Sequence, residues 1–210
     1  MRNDLADVTL IVDRSGSMCS CKEQAEKGAN DFIREQKAAG GDCTFTMIQF
    51  DHQYDCVHDA VPVKDVNEFD LIPRGSTALY DAVGRAITEA GARLEDMAEA
   101  DRPGLVTFVI VTDGEENASR LYRGDKVAEM IKHQDEKYNW KFTYLGANHN
   151  AFKAALSLGI GSSATAQYTG LLAHKAFRAA SQNVLRMRAS GLDGEEITCC
   201  YTGEERKAMA

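Results

Sequence analysis

The sequence predicts an α/β fold, a doubly wound, mostly parallel sheet with one antiparallel edge strand and helices on both faces. Three observations predict it. Apolar runs of strand length alternate along the chain with amphipathic stretches of helical period, the order that builds βαβ units. Residues 105–112 are apolar almost throughout, as a strand covered on both faces must be. The polar tripeptide Asp51-His52-Gln53 separates two strand-like segments by a hairpin-sized gap, which places one antiparallel strand at a sheet edge.

Each element follows in order. Residues 8–12, Val-Thr-Leu-Ile-Val, form the first and most buried strand. A helix over 18–38 comes next, with Ala25, Ala29, Phe32 and Ile33 recurring on one face and Gly40-Gly41 ending it. Residues 43–50 make the second strand and 54–61 its hairpin partner. The segment 63–76, with Pro62 and Pro73 as breakers, is a loop that delivers Thr77 to a helix over 78–98. In that helix Leu79, Val83, Ala86 and Ile87 share a face. After the strand 105–112 come a helix over 123–137, a strand over 140–145 and a short helix over 150–158. Residues 164–168 supply the last core strand and 171–189 the closing helix. This makes one domain over 1–190. Residues 191–210 are a C-terminal extension, with Ile197-Thr198-Cys199-Cys200-Tyr201 either a small edge strand or part of a partly ordered tail.

Composition narrows the function classes. At 210 residues and 44% hydrophobic, the chain can bury one large core. No apolar run approaches the roughly 20 residues of a membrane helix. The seven residues before Val8 are too few and too polar for a secretory signal peptide, so an intracellular chain is expected. The net charge of −8 comes without a Lys/Arg cluster of the kind that phosphate backbones attract, which argues against nucleic acid as a partner. Six cysteines fit a reducing compartment, with Cys43 and Cys56 in strands where buried thiols act as small hydrophobes. Zinc is the poorer reading, because only Cys19-x-Cys21 and the adjacent Cys199-Cys200 are closely spaced.

The chemistry concentrates at strand ends. Asp13-Arg14-Ser15-Gly16-Ser17 follows the first strand, Thr77 lies in Gly75-Ser76-Thr77-Ala78-Leu79-Tyr80-Asp81, and Asp113 ends the 105–112 strand before Gly114. Asp13, Ser15, Ser17, Thr77 and Asp113 together are five hard oxygen donors of the type that Mg²⁺ accepts. In an open parallel sheet, ligands collect outside the carboxyl ends of the strands where the strand order reverses, and Asp13 and Asp113 should meet there. Each piece alone also fits a helix cap or a turn. Capping does not explain why all three fall on one edge.

These residues resemble the metal-ion-dependent adhesion site of von Willebrand factor A domains, a D-x-S-x-S sequence completed by a distant Thr and a distant Asp-Gly. The resemblance runs from about residue 8 into the 180s, with all five positions intact, and is to the stand-alone intracellular type of bacteria or phages. It implies a Rossmann-like A-domain fold. It implies that the hydroxyls of Ser15, Ser17 and Thr77 touch the metal directly, while Asp13 and Asp113 act through water or hydrogen bonds to those hydroxyls. The metal so implied is Mg²⁺, with Mn²⁺ or Ca²⁺ as alternatives, and its open position would take an Asp or Glu of a partner protein. Such modules serve as adaptors, including beside AAA-type ATPases or in stress responses, and are cytoplasmic, or virion-associated in a phage.

Other functions fit less well. A haloacid dehalogenase-type phosphatase also has an Asp after its first strand, but its second Asp, the acid and base, is Ser15 here. No G-x-S-x-G marks a serine hydrolase, and neither phosphate-binding glycine motif follows a strand. A structural A domain within a larger assembly, using the metal only for rigidity, is the remaining alternative. Arg14, Ser76, Glu115, Glu116 and Asn117 are expected at the rim of the site, the two glutamates most simply as a charged helix start or loop. Asp81 either supports the Thr77 loop or is a solvated helix residue. Cys19 is expected to be an inert, partly buried thiol.

Overall fold

The computed structural model describes residues 1–147 and 150–210. Six strands, β1 (Arg2–Asp13), β2 (Asp42–Phe50), β3 (Tyr54–Pro62), β4 (Pro103–Thr112), β5 (Lys141–Gly146) and β6 (Thr165–Gln167), form one sheet in the order β3-β2-β1-β4-β5-β6. Only the β2–β3 pair is antiparallel. The expected fold class is therefore the observed one. The strand order reverses on either side of β1, which is the switch point where such sheets place their ligands.

The period of two along β1 sends Val8, Leu10 and Val12 to one face and Ile11 to the other. On the first face lie α1 (Lys22–Ala38) and α5 (Ala173–Asp193), packed through Phe32, Phe177 and Met187 against Phe45 and Met47. These two helices approach so closely that a Cβ on Gly28 would stand 2.8 Å from the Phe177 ring. On the second face lie α2 (Leu79–Glu95), α3 (Gly124–Tyr138) and α4 (Ala151–Ser157), covering Phe108, Ile110 and Tyr144. Fully buried side chains such as Leu10 and Phe108 each contribute roughly 1.5–3 kcal/mol.

Three segments differ from expectation for identifiable reasons. β1 begins at Arg2, six residues before Val8, because Arg2 pairs with Pro103 beyond a register shift that its polar sequence conceals. The first helix begins at Lys22, since Gly16–Cys21 form a 3₁₀ turn whose serines do not cap it. The helix after Thr77 ends at Glu95, where the Arg102 guanidinium takes the carbonyls of Glu95 and Met97.

The C-terminal segment is neither a strand nor loose. Thr202 and Glu205 form a reciprocal capping box that starts α6 (Gly203–Met209). Tyr201 and Met209 enter the core, and Arg206 donates to the carbonyls of Ser162, Ser163 and Thr165 beside β6. No helix among the described residues is long and apolar enough to cross a membrane.

Candidate metal centre

β1 and β4 run side by side, with Val12 opposite Val111, so the loops after Asp13 and Thr112 leave the sheet together. Asp13 is fully buried and both its oxygens are engaged. Oδ1 accepts the Ser15 amide at 2.6 Å, and Oδ2 accepts the Thr112 hydroxyl at 2.6 Å. Ser17 Oγ donates to Asp113 Oδ1 at 2.6 Å and lies 3.0 Å from Ser15 Oγ. Thr77 arrives from the third loop on backbone ties. Its amide donates to Asn117 Oδ1 at 3.0 Å and its carbonyl accepts the Asn117 amide at 2.9 Å. The Gly16 amide donates to the Gly75 carbonyl at 3.1 Å, joining the pentapeptide to the loop that carries Thr77.

Gly114 marks where the side chains converge. A Cβ built there would lie 2.7 Å from Thr77 Oγ1 and 3.3 Å from both Asp13 Oδ2 and Ser15 Oγ. One methyl-sized volume thus touches one donor from the loop that carries Thr77 and two from the pentapeptide. All five expected residues are brought to this one place.

The site is short of positive charge. Burial pushes the Asp113 carboxyl up to about 6; the Ser17 hydrogen bond opposes the rise and the charge of Asp13 adds to it. Burial also raises Asp13, against the hydrogen bonds from Thr112 and Ser15. Arg14, the one basic residue of the pentapeptide, is turned away. Its Nε donates to Asp51 Oδ2 at 3.0 Å and its Nη1 to Asp55 Oδ2 at 3.1 Å. A cation is what a buried and a half-buried carboxylate with three hydroxyls lack, and the all-oxygen donor set suits a hard divalent ion. Among the described residues there is no group of three or more His, Cys, Asp and Glu side chains placed to hold a metal, so any such ion here depends on the hydroxyls.

Several supporting residues escape sequence reading. Asp51, fully buried, holds Arg14, takes Arg74 Nε at 2.8 Å and accepts the Gln53 amide at 2.6 Å. Burial opposes its ionisation, yet Arg74, the Gln53 amide and Arg14 hold its carboxyl below the usual range. The signal was present, since Asp51 ends a strand as Asp13 does. Thr112 carried no signal beyond its place before Asp113.

The expected rim is partly redirected. Glu116 accepts the amides of Tyr80, Ala118 and Ser119 and the Ser119 hydroxyl, so it fastens its own loop to the start of α2. Asn117 grips Thr77, and Glu115 accepts from Asn150 Nδ2 at 2.8 Å. Asp81 accepts the amides of Arg120, Leu121 and Tyr122, tying the loop after Asp113 to α2. Neither 3₁₀ turn Gly16–Cys21 nor α2 has a side-chain cap, so capping does not account for Ser15, Ser17 or Thr77. All six cysteines are free; Cys19 and Cys56 are exposed, correcting the expectation of buried thiols, whereas Cys43 is buried.

Compared by sequence, the chain matches no family model and none of the curated proteins. Its fold matches many solved structures. It superposes on a von Willebrand factor type A structure from Catenulispora acidiphila with a TM-score of 0.58, at 14% identity, covering 86% of this chain and 42% of that one. The proximal thread matrix protein 1 of the mussel byssus, solved with a zinc-occupied MIDAS motif, gives 0.56 at 16% identity, covering 89% and 46%. The manganese-loaded TRAP protein of Plasmodium vivax gives 0.57 at 15%, covering 83% and 74%. The chain thus spans under half the length of the first two. At these identities the likeness establishes architecture, and the chain has the von Willebrand factor A fold.

Proposed function

We propose that the chain is a divalent-cation-dependent protein-binding module, an adaptor in which Ser15, Ser17, Thr77, Asp13 and Asp113 hold Mg²⁺ and a partner protein supplies an Asp or Glu. The observation that carries this is the convergence of Thr77, Asp13 and Ser15 oxygens on the volume beside Gly114. When bound, a hard divalent ion held mainly by neutral hydroxyls keeps enough charge to attract an external carboxylate. The chain's own part is orientation. Thr112 fixes Asp13, Asp13 fixes the Ser15 amide, and Asp113 fixes the Ser17 hydroxyl. Solved A-fold structures carrying manganese or zinc support a divalent ion in this fold.

No bond is broken in this reading. Against a phosphatase stands Ser15, which cannot serve as acid and base where that chemistry needs a second carboxylate. The partner class is an acidic protein surface, with an AAA-type ATPase or a stress-response component as candidates, in a cytoplasmic or virion-associated setting. Calorimetric titration with Mg²⁺ and Mn²⁺ should show one saturable site that Asp13→Ala and Thr77→Ala abolish. Partner capture from the native host should occur in Mg²⁺ and fail in EDTA; capture indifferent to EDTA and to both variants would overturn the proposal.

A further inference from the structure

At the end of the sheet opposite the oxygen cluster, the C-terminal turns of α2 and α3 flank the start of β4 and leave a cleft of about 640 Å³. That volume is in the range of small-molecule sites. Its apolar lining includes Leu94, Val106 and Trp140, the last stacked on Phe108 with ring centroids 5.5 Å apart and planes 15° apart. Tyr138 contributes a half-exposed ring.

Two further observations point to an occupant. Gly91 lies inside α2, where glycine is the least favourable residue after proline. Its backbone has no positive φ, and no heavy atom beyond its own helix backbone lies within 4 Å of where its Cβ would stand. Gly28, by contrast, is required by the ring of Phe177. Neither conformation nor packing asks for glycine at 91, and a larger side chain there would occupy the cleft. Secondly, Gln134 Oε1, on another lining residue, is a buried acceptor with no hydrogen-bond partner among the described residues. It calls for a donor.

The carboxylate, guanidinium and ammonium side chains of the lining sum to zero, with His133 and Met1 beside them. Glu95 and Glu99 balance Arg102 and Lys137, and the Arg102 guanidinium is committed to the carbonyls of Glu95 and Met97. We propose that this cleft binds a planar, uncharged heteroaromatic molecule of nucleobase size, seated against Trp140 and donating an N–H to Gln134 Oε1. The site is independent of the metal centre.

Trp140 is the only tryptophan of the chain, so its fluorescence reports on the cleft. The probes are 9-methyladenine, which carries amino N–H donors, and 9-methylpurine, which carries none. Saturable quenching of Trp140 by 9-methyladenine is expected, with Gln134→Leu weakening it about tenfold for loss of one buried hydrogen bond. The same substitution should leave 9-methylpurine unaffected. Gly91→Leu should abolish saturable quenching by both probes; it installs a strong helix former, and an unchanged or raised melting temperature confirms that it folds. Quenching that is absent, strictly linear in concentration, or saturable but indifferent to both Gly91→Leu and Gln134→Leu overturns the proposal.

Discussion

Gly114→Ala separates the metal reading from a purely structural one. The added methyl would stand 2.7 Å from Thr77 Oγ1, which must retreat to about 3.4 Å for ordinary contact, and 3.3 Å from Asp13 Oδ2 and Ser15 Oγ. Gly114 has no positive φ, so the backbone accepts alanine and the effect falls on the donors. Displacing one donor by that distance and crowding two more should weaken divalent-ion binding by about 100-fold, or ~2.8 kcal/mol. Thermal melts with and without Mn²⁺ make the check. At an Mn²⁺ concentration 100 times the wild-type Kd, binding stabilises the wild type by ~2.7 kcal/mol and the variant by only ~0.4 kcal/mol. For a domain of this size the increments correspond to about 5–10 °C and about 1 °C. In EDTA the variant should lose only the ~1–3 kcal/mol typical of an inserted methyl, so the metal-induced increment isolates the site. A folded Gly114→Ala protein with the full wild-type increment would refute the assignment of donors.

Asp51→Asn should lower stability in urea by roughly 3 kcal/mol, because it leaves Arg14 buried without its main charge partner while Asp55 remains on Nη1; a loss under 1 kcal/mol would mean that Arg14 escapes to water. With Asp113 raised to about 6, protons compete with the cation, so Mn²⁺ affinity should fall about tenfold per pH unit below 6 and level off above 7. The same raised carboxyl binds its proton more tightly folded than unfolded. Stability in EDTA should therefore decline as pH rises from about 4 through 6, and saturating Mg²⁺ should remove that decline; urea titrations at pH 4.5 and 7 with a flat EDTA profile would contradict it. Ending the chain after Gly194 removes the buried Tyr201 and Met209 and should cost several kcal/mol in urea unfolding, whereas a loose tail would cost nothing measurable.

The sheet was legible because its central strands obey the simplest pattern: β4 is an almost continuous apolar run, and β1 is apolar from Val8 to Val12 but for Thr9. The clustering of Asp13, Ser15, Ser17, Thr77 and Asp113 was legible because two motif pieces mark the ends of neighbouring strands and the third sits in the loop before a helix. What stayed hidden depends on partners far away in sequence. The first six residues of β1 are mostly polar and become strand by pairing with β4 and, from Leu5 onward, with β2. Glu116 and Asn117 look like any charged loop, and their work appears only when Tyr80 and Thr77 amides are brought to them. Tyr201 and Met209 belong to a stretch too short to show a period, yet Arg206 fastens it to the carbonyls around β6.

The two bonds at the heart of the site, Ser17 to Asp113 and Thr112 to Asp13, span 96 and 99 residues. Neither can form within the pentapeptide alone. A nascent chain that has released β1, α1 and β2 carries the pentapeptide but must wait for β4, an interval of about 3–12 s at ordinary synthesis rates. Under the proposed function, cation occupancy would report that the central β1–β4 pair has closed. An ion that arrives after that step stabilises the finished fold against opening, so it should slow unfolding while leaving the folding rate unchanged.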